Sequence, residues 1–591
     1  MAYTGTCLNI DLSTHKSEIK PVEKSLLENY VGGKGLGFAL LEKHAPNPDP
    51  LGPENPLIFA NGPFTGTKVQ TSARTCVVMK SPLTGSIHDS HCGGRFGPRL
   101  KAAGYDYVFI TGKSEKPVYL YITREGVDIR DATTLWGKGI FHTNDTLLKQ
   151  HPGVEPRVAC IGPAGENLVK IACIGVDKHR QYGRGGTGAV MGSKNLKAIV
   201  VDGDEPIKYF DEARFMELNN QLTRDILTND GVIFRREKGT MKCVRSGQAF
   251  EFLPTKNFQK CVFDRFEGIS SETFRKELNW KDVGCYNCAI RCSKVATWNG
   301  HEIEGPEYES VAFLGSGCEI SDCKDLAWSN EICNDLGMDT ISAGVTCSFA
   351  MECYEKELLD NWDGIELTWG NATAQRKLLQ MMAHRQGIGN IFADGTRIAA
   401  QKIGQGSEEF AINIFGMELS GVNPLGSLTM GVVLSVADFA SHTRLWLTEA
   451  EEGPDFTIED IPQSVASGLD TINIRNSMIV CDFVPSGLEE LTSVLNAATG
   501  SNHTAESLLE VGTRLTHLAR RYNLRNGRTH TDDILPERFF KDTSCSGFMR
   551  DKVIDREFFK GLIQKYYTVR GWNEKGEPTE QILKKYGLLR D

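Results

Sequence analysis

At 591 residues the chain is several times the length of a typical domain, and two to four domains with full cores are expected. A net charge of −10 argues against a nucleic-acid or anionic-membrane surface as the main partner. No signal peptide or membrane span is expected, and the 17 cysteines, odd in number and scattered, fit a reducing, cytoplasmic location.

The first 200 residues alternate β-rich runs with glycine-rich turns. "NPLIFANG" (55–62), "RTCVVMK" (74–80), "DYVFITG" (106–112), "PVYLYIT" (117–123), "RVACIGPAG" (157–165), "VKIACIGV" (169–176) and "KAIVVDG" (197–203) read as strands. Between them "GPFTGT" (62–67), "HCGGRFG" (91–97) and "GRGGTG" (183–188) let backbone approach a ligand closely. With Arg95, Arg180 or Arg184 nearby, the last two loops make either an anion cradle or tight turns with solvated arginines. "GGKGLG" (32–37) lacks the strand and spacing of a dinucleotide fingerprint, and "GPFTGTK" lacks those of a P-loop. "DGDEPIKYFDEARF" (202–215) reads as a linker, after which apolar residues recur at helical spacing in "DEARFMELNNQLTRDIL" and "DLAWSNEICNDLG". From about 411 the pattern is mostly helical, as in "GLEELTSVLNAATG" and "AESLLEVGTRLTHLARRYNL".

"VGCYNCAIRC" (283–292) sets Cys285, Cys288 and Cys292 at C-x2-C-x3-C spacing, which predicts a tight turn opening into a helix. An iron–sulfur cube needs four thiolates. Zinc usually takes paired C-x2-C units or nearby histidines, and three chance core cysteines are the bland alternative. Spacing alone leaves the fourth ligand open among Cys318, Cys323, Cys333, Cys347, Cys353, Cys481 and Cys545, of which Cys318 to Cys353 lie in apolar, core-like context.

"SPLTGSI", "GGRFGPRLKAAGYD", "IGPAGENLVKIA", "GRGGTGAVMGSKNLKAI", "LPTKNFQ", "CYNCAIRC", "EGPEYES" and "YYTVRGWNEKGEPTEQILKKYG" resemble, in order, the tungsten-dependent aldehyde:ferredoxin oxidoreductase family. The match is dense over about 1–310 and thin over roughly 411–475. The resemblance implies an α+β fold. A two-sheet, β-rich pterin-binding base (1–207) is followed by a mainly helical domain with the cysteine motif (208–410) and a second one (411–591). It implies tungsten, or molybdenum, held by two pterins, one [4Fe–4S] cluster, and magnesium bridging the pterin phosphates. Electrons would pass to ferredoxin or an iron–sulfur partner subunit, with a homo- or hetero-oligomer as the assembly. It selects Cys481, in "RNSMIVCDFV", as the fourth thiolate. Arg74 and the loop His91–Gly93 would meet one pterin, with Arg180, Gln181 and Gly183 at its phosphates and the carbonyls of His91 and Gln181 on magnesium. The second pterin's D-x-x-G-L-[DC] stretches read "NDLGMD" and "NSMIVC" here, so Asn334 and Asn476 replace carboxylates and accept hydrogen bonds more weakly.

Oxidising an aldehyde to an acid adds one oxygen and releases two electrons and two protons, so a carboxylate and an imidazole near the metal suit the proton traffic. The resemblance gives these roles to Glu309 as base and to His442 as hydrogen-bond partner of the substrate oxygen. From the residues alone, Glu307 or Glu309 caps the following helix and His442 is a packed core histidine. Arg444 is assigned to a pterin phosphate. Asp438 and Phe439 stand where relatives carry an Arg-Gly pair, which predicts a reshaped substrate pocket; Trp328 and Glu331 stand where some relatives bind a subunit-bridging iron, which predicts no such iron. Two alternatives accompany the aldehyde reading: the catalytic subunit of an aromatic acyl-CoA reductase, and an electron-transfer scaffold without an active pterin site.

Overall fold

The computed structural model describes residues 2–298, 300–448, 451, 456–542 and 551–589. Between Thr6 and Val201 twelve strands form two six-stranded sheets. The first contains β1 (Thr6–Asp11), β2 (Lys16–Pro21), β3 (Leu57–Ala60), β4 (Thr75–Lys80), β5 (Ile87–Cys92) and β6 (Tyr107–Thr111), in the order β2-β1-β6-β3-β4-β5. The second contains β7 (Val118–Thr123), β8 (Gly126–Asp131), β9 (Arg157–Cys160), β10 (Ile174–Val176), β11 (Arg180–Tyr182) and β12 (Leu196–Val201), in the order β11-β10-β9-β12-β7-β8.

Period-two alternation explains why the sheets stack. Leu57, Phe59, Val77 and Met79 point into a core shared with Leu120, Ile122, Ile199 and Val201 of the second sheet. Their neighbours Ile58, Ala60, Cys76 and Val78 point the other way, against Leu36, Leu40 and Leu41 of the Gly33–His44 helix. On the far face of the second sheet, Tyr119, Val158, Ala198 and Val200 pack on Ile140 and Leu147 of the Ile140–Gln150 helix. Two sheets are thus sandwiched between helices, which is the α+β arrangement expected from the sequence.

The expected strand at 157–165 ends at Cys160, because Gly162-Pro163 opens a short helix, Pro163–Glu166, whose first turn tolerates proline's missing N–H. Strands β1, β2, β5, β8 and β11 escaped the sequence reading. β2, "KSEIKP", is exposed throughout and blunted by charge as edge strands are. β5, "IHDSHC", is largely buried yet polar, so no apolar pattern marks it.

Beyond Glu212 the chain is mainly helical. The Thr340–Glu355 helix is buried on almost every side. The largest apolar cluster takes residues from both sides of position 410, including Phe313, Cys347, Val433 and Tyr566. We propose domain divisions near 207 and 410. One expectation needs correction: the cysteine turn opens into a strand. β13 (Lys281–Val283), β14 (Ser293–Trp298) and β15 (His301–Gly305) form a small antiparallel sheet. Val295 and Thr297, both β-branched, favour extended chain there. No described helix is long and apolar enough to cross a membrane.

Candidate active site

β5 and β11, each an edge strand of its own sheet, lie against one another. A cavity of about 760 Å³ opens beside them, closed from the other side by the helical part. The residues to which the resemblance gives catalytic, cofactor-binding or cluster-ligating roles line it: Glu309 and His442; Arg74, His91, Gly93, Arg180, Gln181, Gly183, Asn334, Arg444 and Asn476; and Cys285, Cys288, Cys292 and Cys481.

The glycine loops are shaped by what lies across from them. A Cβ on Gly93 would stand 2.7 Å from Cys285 Sγ, so only glycine lets β5 run past the cysteine turn. Gly185 has φ +85° and would drive a Cβ into the His88 ring at 2.3 Å. At Gly183 nothing lies within 4 Å of where a Cβ would be, and the chain there faces open cavity.

Cys285, Cys288 and Cys292 sit on an irregular loop whose Asn287 and Arg291 take left-handed φ of 45° and 50°. Cys481 follows the Ile461–Met478 helix, which stops at left-handed Ile479, and its N–H donates to Thr71 O at 3.2 Å. Cys318, Cys323, Cys333, Cys347 and Cys353 are buried in the apolar core and do not reach the cavity. Cys545 lies outside the described residues. Cys243, upstream, also lines the cavity. Burial pushes the Cys288 and Cys481 thiols up and carries Cys292 to about 12, with Arg74 beside Cys481 and Arg180 beside Cys292 opposing the rise. Among the described residues no three His, Cys, Asp or Glu side chains converge on a point that one ion could fill. Four thiols on one wall with two arginines suit a polynuclear, anionic cluster better than a lone zinc ion.

Several expected contacts are differently committed. Arg184 is not a free anion ligand: it holds Asp339 Oδ2 at 3.2 Å and donates to Ser420 Oγ and the carbonyls of Glu418 and Ala440. Arg95 lies near Glu155 and off the cavity. Asp438, expected to reshape the pocket, turns away from it and pairs with Lys34 Nζ at 2.6 Å and Arg444 Nη1 at 3.4 Å. Arg444 spends both terminal nitrogens on Asp89, at 2.8 and 3.0 Å, leaving a buried Nε unpartnered. Trp328 is half exposed and packs edge-on against Trp298, while Glu331 is buried 3.4 Å from His179.

The sequence reading passed over several residues that matter. Asn334 donates to Glu304 Oε2 at 2.9 Å and accepts from Gln181 at 3.2 Å, so Glu304 supplies a buried carboxylate where Asn334 lacks one. His91 Nε2 is 2.9 Å from Asp89, and its Nδ1 has no partner. His88 stacks on Phe439 at 3.9 Å with both ring nitrogens unpartnered, and burial pulls it down to about 3. The available signal was polar residues in a run bounded by strong strands, "IHDSHC", and the repeated acids of "HEIEGPEYES".

Glu309 lies in the first turn of the Tyr308–Leu314 helix but caps nothing; its Oε2 accepts the Gly421 N–H at 2.8 Å. Oε1 accepts no hydrogen bond and lies 3.3 Å from His442 Nδ1, which is equally near Ser420 Oγ. Burial pushes the Glu309 carboxyl up to about 7, against the opposing Gly421 N–H and Arg184. Burial, then Arg184, pulls His442 down to about 3, so the imidazole is neutral. Trp446 stands edge-on to both His442 and Tyr308, and Tyr308 donates to Gly421 O at 2.6 Å.

Family models carry the comparison further. "Aldehyde ferredoxin oxidoreductase, N-terminal domain" matches residues 7–203, and "Aldehyde ferredoxin oxidoreductase, domains 2 & 3" matches 217–588. The chain belongs to the aldehyde ferredoxin oxidoreductase family. It is 35% identical to the tungsten-containing aldehyde ferredoxin oxidoreductase of Pyrococcus furiosus, across 99% of this chain and 98% of that one. It is 32% identical to the "aliphatic sulfonate oxidoreductase, WOR-like subunit" of the same organism, across 99% and 97%. Among solved structures it resembles the active-site complex BamBC of benzoyl coenzyme A reductase with 1,5-dienoyl-CoA, with TM-score 0.86, 27% identity and coverage of 99% and 97%. The unpartnered Nδ1 of His91, Nε of Arg444, ring nitrogens of His88 and Oε1 of Glu309 all belong to residues lining one cavity, a donor and acceptor set that fits the polar pterin and phosphate groups the family implies.

Proposed function

We propose that this chain is the catalytic protein of a tungsten- or molybdenum-pterin oxidoreductase that interconverts an aldehyde and a carboxylic acid. The observation that carries the reading is the Glu309–His442 pair at 3.3 Å, in the same cavity as the four cysteines. When bound, a pterin metal would supply two-electron redox chemistry at the substrate carbon and a cluster on the cysteines would supply one-electron transfer, so a further acceptor would be needed.

The chain's own residues handle binding and protons. Arg180, Gln181 and the Gly183 backbone would hold the phosphates of one pterin, and main-chain carbonyls of His91 and Gln181 would hold magnesium. Asn334 with Glu304, and Asn476, face the other. Cys285, Cys288, Cys292 and Cys481 would hold the [4Fe–4S] cluster. Glu309, whose buried Oε1 has no hydrogen-bond partner and whose carboxyl is poised near neutral pH, takes a proton from water or hydrated aldehyde. Neutral His442 donates a hydrogen bond to the substrate oxygen, and Arg444 acts from behind the site by fixing Asp89 and His91. Ferredoxin or an iron–sulfur subunit receives the electrons.

A second reading is ring reduction of an aromatic acyl-CoA. Phe439, Trp446 and Tyr308 give the cavity an aromatic lining, and the benzoyl-CoA reductase likeness spans the chain. Metal analysis and turnover of anaerobically purified protein separate the readings. About one tungsten or molybdenum with about four irons per chain, and aldehyde-dependent dye reduction, support the first. Activity only with an aromatic thioester supports the second; iron alone supports a scaffold.

A further inference from the structure

The Asp230–Lys238 helix joins the two segments that carry the cavity's outer cysteines. Arg235 stacks its guanidinium 3.9 Å over Phe483, two residues beyond Cys481. Arg236 Nε donates to Ala289 O at 3.2 Å, inside the loop of the other three cysteines. Lys294 ties the two together from below, donating to Arg236 O at 3.0 Å and Cys292 O at 2.8 Å. Val232 is the helix's buried anchor, while Ile233 and Phe234 stand 45% and 49% exposed on its outer side.

The rim is cationic although the chain is acidic overall. Lys68, Arg235, Arg236 and Arg291 make no ion pair among the described residues, and Lys68 and Arg291 are exposed. Lys68 is held against the cysteine loop through its carbonyl, which accepts from Asn287 Nδ2 at 2.7 Å. The nearby acids are mostly spent: Asp282 on Arg275 at 2.9 Å, Asp482 on Arg74 at 3.0 Å and Glu237 on Lys238 at 2.9 Å. Asp230, at the far end of the helix, is the exception. An apolar centre ringed by cations that have no carboxylate partner, over half-buried thiols on a surface loop, has the anatomy of a transient electron-transfer interface.

We propose that the outer face of the Asp230–Lys238 helix, with Ile233 and Phe234 at its centre and Lys68, Arg235, Arg236 and Arg291 around it, docks a small acidic iron–sulfur protein that exchanges single electrons with the cluster beneath. The proposal rests on the oxidoreductase reading and adds the place and chemistry of the encounter. Opposite charge steers the approach, and the two apolar side chains seat the carrier on the helix that contacts both cysteine-bearing segments.

The test uses anaerobically purified holoprotein with an acidic ferredoxin, whose Kd is measured directly by interferometry, and parallel turnover assays with ferredoxin or a small viologen dye as acceptor. Lys68→Glu and Phe234→Ser are compared with Lys16→Glu, a charge reversal on the distant exposed strand β2. Each rim variant is expected to raise the Kd and KM for ferredoxin about five-fold at low salt and to leave dye turnover unchanged. The Lys68→Glu effect should vanish near 0.5 M salt, where the Debye length falls to about 4 Å. Lys16→Glu should change neither. Unchanged ferredoxin binding in both rim variants, or an equal effect of Lys16→Glu, overturns the docking face while leaving the enzyme reading intact. Absence of dye turnover in the wild-type holoprotein, with ferredoxin binding still sensitive to the rim, overturns the enzyme reading instead.

Discussion

Glu309→Gln isolates the proton-handling proposal because it keeps the shape and the Gly421 contact while removing the charge. The carboxyl rises from 4.5 to about 7, mainly through burial. That rise corresponds to about 3 kcal/mol of preference for the protonated form. A buried acid raised in the fold contributes stability fully below the unfolded value of 4.5 and loses it as pH climbs through about 7. Two results follow. The wild-type rate should climb with pH through an apparent pKa near 7, and Glu309→Gln should lose about 10²- to 10⁴-fold in kcat above pH 7, a deficit that shrinks as the pH falls and the wild-type carboxylate protonates. The same variant should melt higher than wild type at pH 8.5 and about equally at pH 4.5, because glutamine never ionises. Steady-state kinetics and thermal melts of metal-loaded protein read both. A Glu309→Gln protein within ten-fold of wild type above pH 7, or one with no melting advantage at alkaline pH, refutes the assignment of an ionising, buried base.

Other perturbations probe the metal wall and the charges behind it. Cys481→Ser should strip most of the iron and its paramagnetic signal, while Cys318→Ser, in the apolar core off the cavity, should leave iron at about four per chain. Arg444→Met removes the bidentate partner of buried Asp89 and should cost about 3–5 kcal/mol in denaturant titration, with Arg444→Lys recovering part of it. Asn334→Asp replaces the amide that donates to Glu304 Oε2 with a second acid beside a carboxyl already raised by burial, with only Arg180 and His179 to offset it. It should lower stability by about 1–3 kcal/mol at pH 8, and the loss should shrink toward pH 5 as the pair comes to share a proton; a loss independent of pH contradicts the shared-proton account.

What the sequence disclosed follows from which physics leaves a local trace. Strands buried on both faces, such as "TCVVMK", announce themselves as apolar runs, and long amphipathic helices such as Ala505–Arg525 announce themselves by period. β5 carries His88, Asp89 and His91 at the heart of the cavity and was invisible because its buried charge is satisfied from distant segments: Asp89 by Lys34 and Arg444. No window of local sequence holds that information. The three clustered cysteines were legible as a set, while the fourth was reached through family likeness alone, 189 positions on from Cys292 (481 − 292). Asp438 was misread for the same reason as β5. A new acid near a pocket histidine suggested altered specificity, yet its carboxylate serves a lysine 404 positions upstream.

That lysine explains a motif the sequence left without a purpose. "GGKGLG" begins the Gly33–His44 helix, and Lys34 within it is buried with Asp89, Arg444 and Asp438, two cations and two anions drawn from three remote stretches. Four isolated buried charges would each cost several kcal/mol of desolvation, so the group is tolerable only complete, with its net charge zero. Burial alone would push Asp89 up, but Arg444 and Lys34 hold it well below the usual carboxylate range. Because it stays charged, Asp89 can fix the His91 ring. Arg444, anchored in turn, lies 4.3 Å over Phe439, which stacks on His88. The quartet therefore ties the edge strand of the first sheet to the segment bearing His442, and it sets the His88–His91 wall and the Glu309–His442 wall of the cavity at one fixed separation. This is preorganisation by a buried ionic lattice, and it accounts for a polar strand standing where an apolar core would have been cheaper to build.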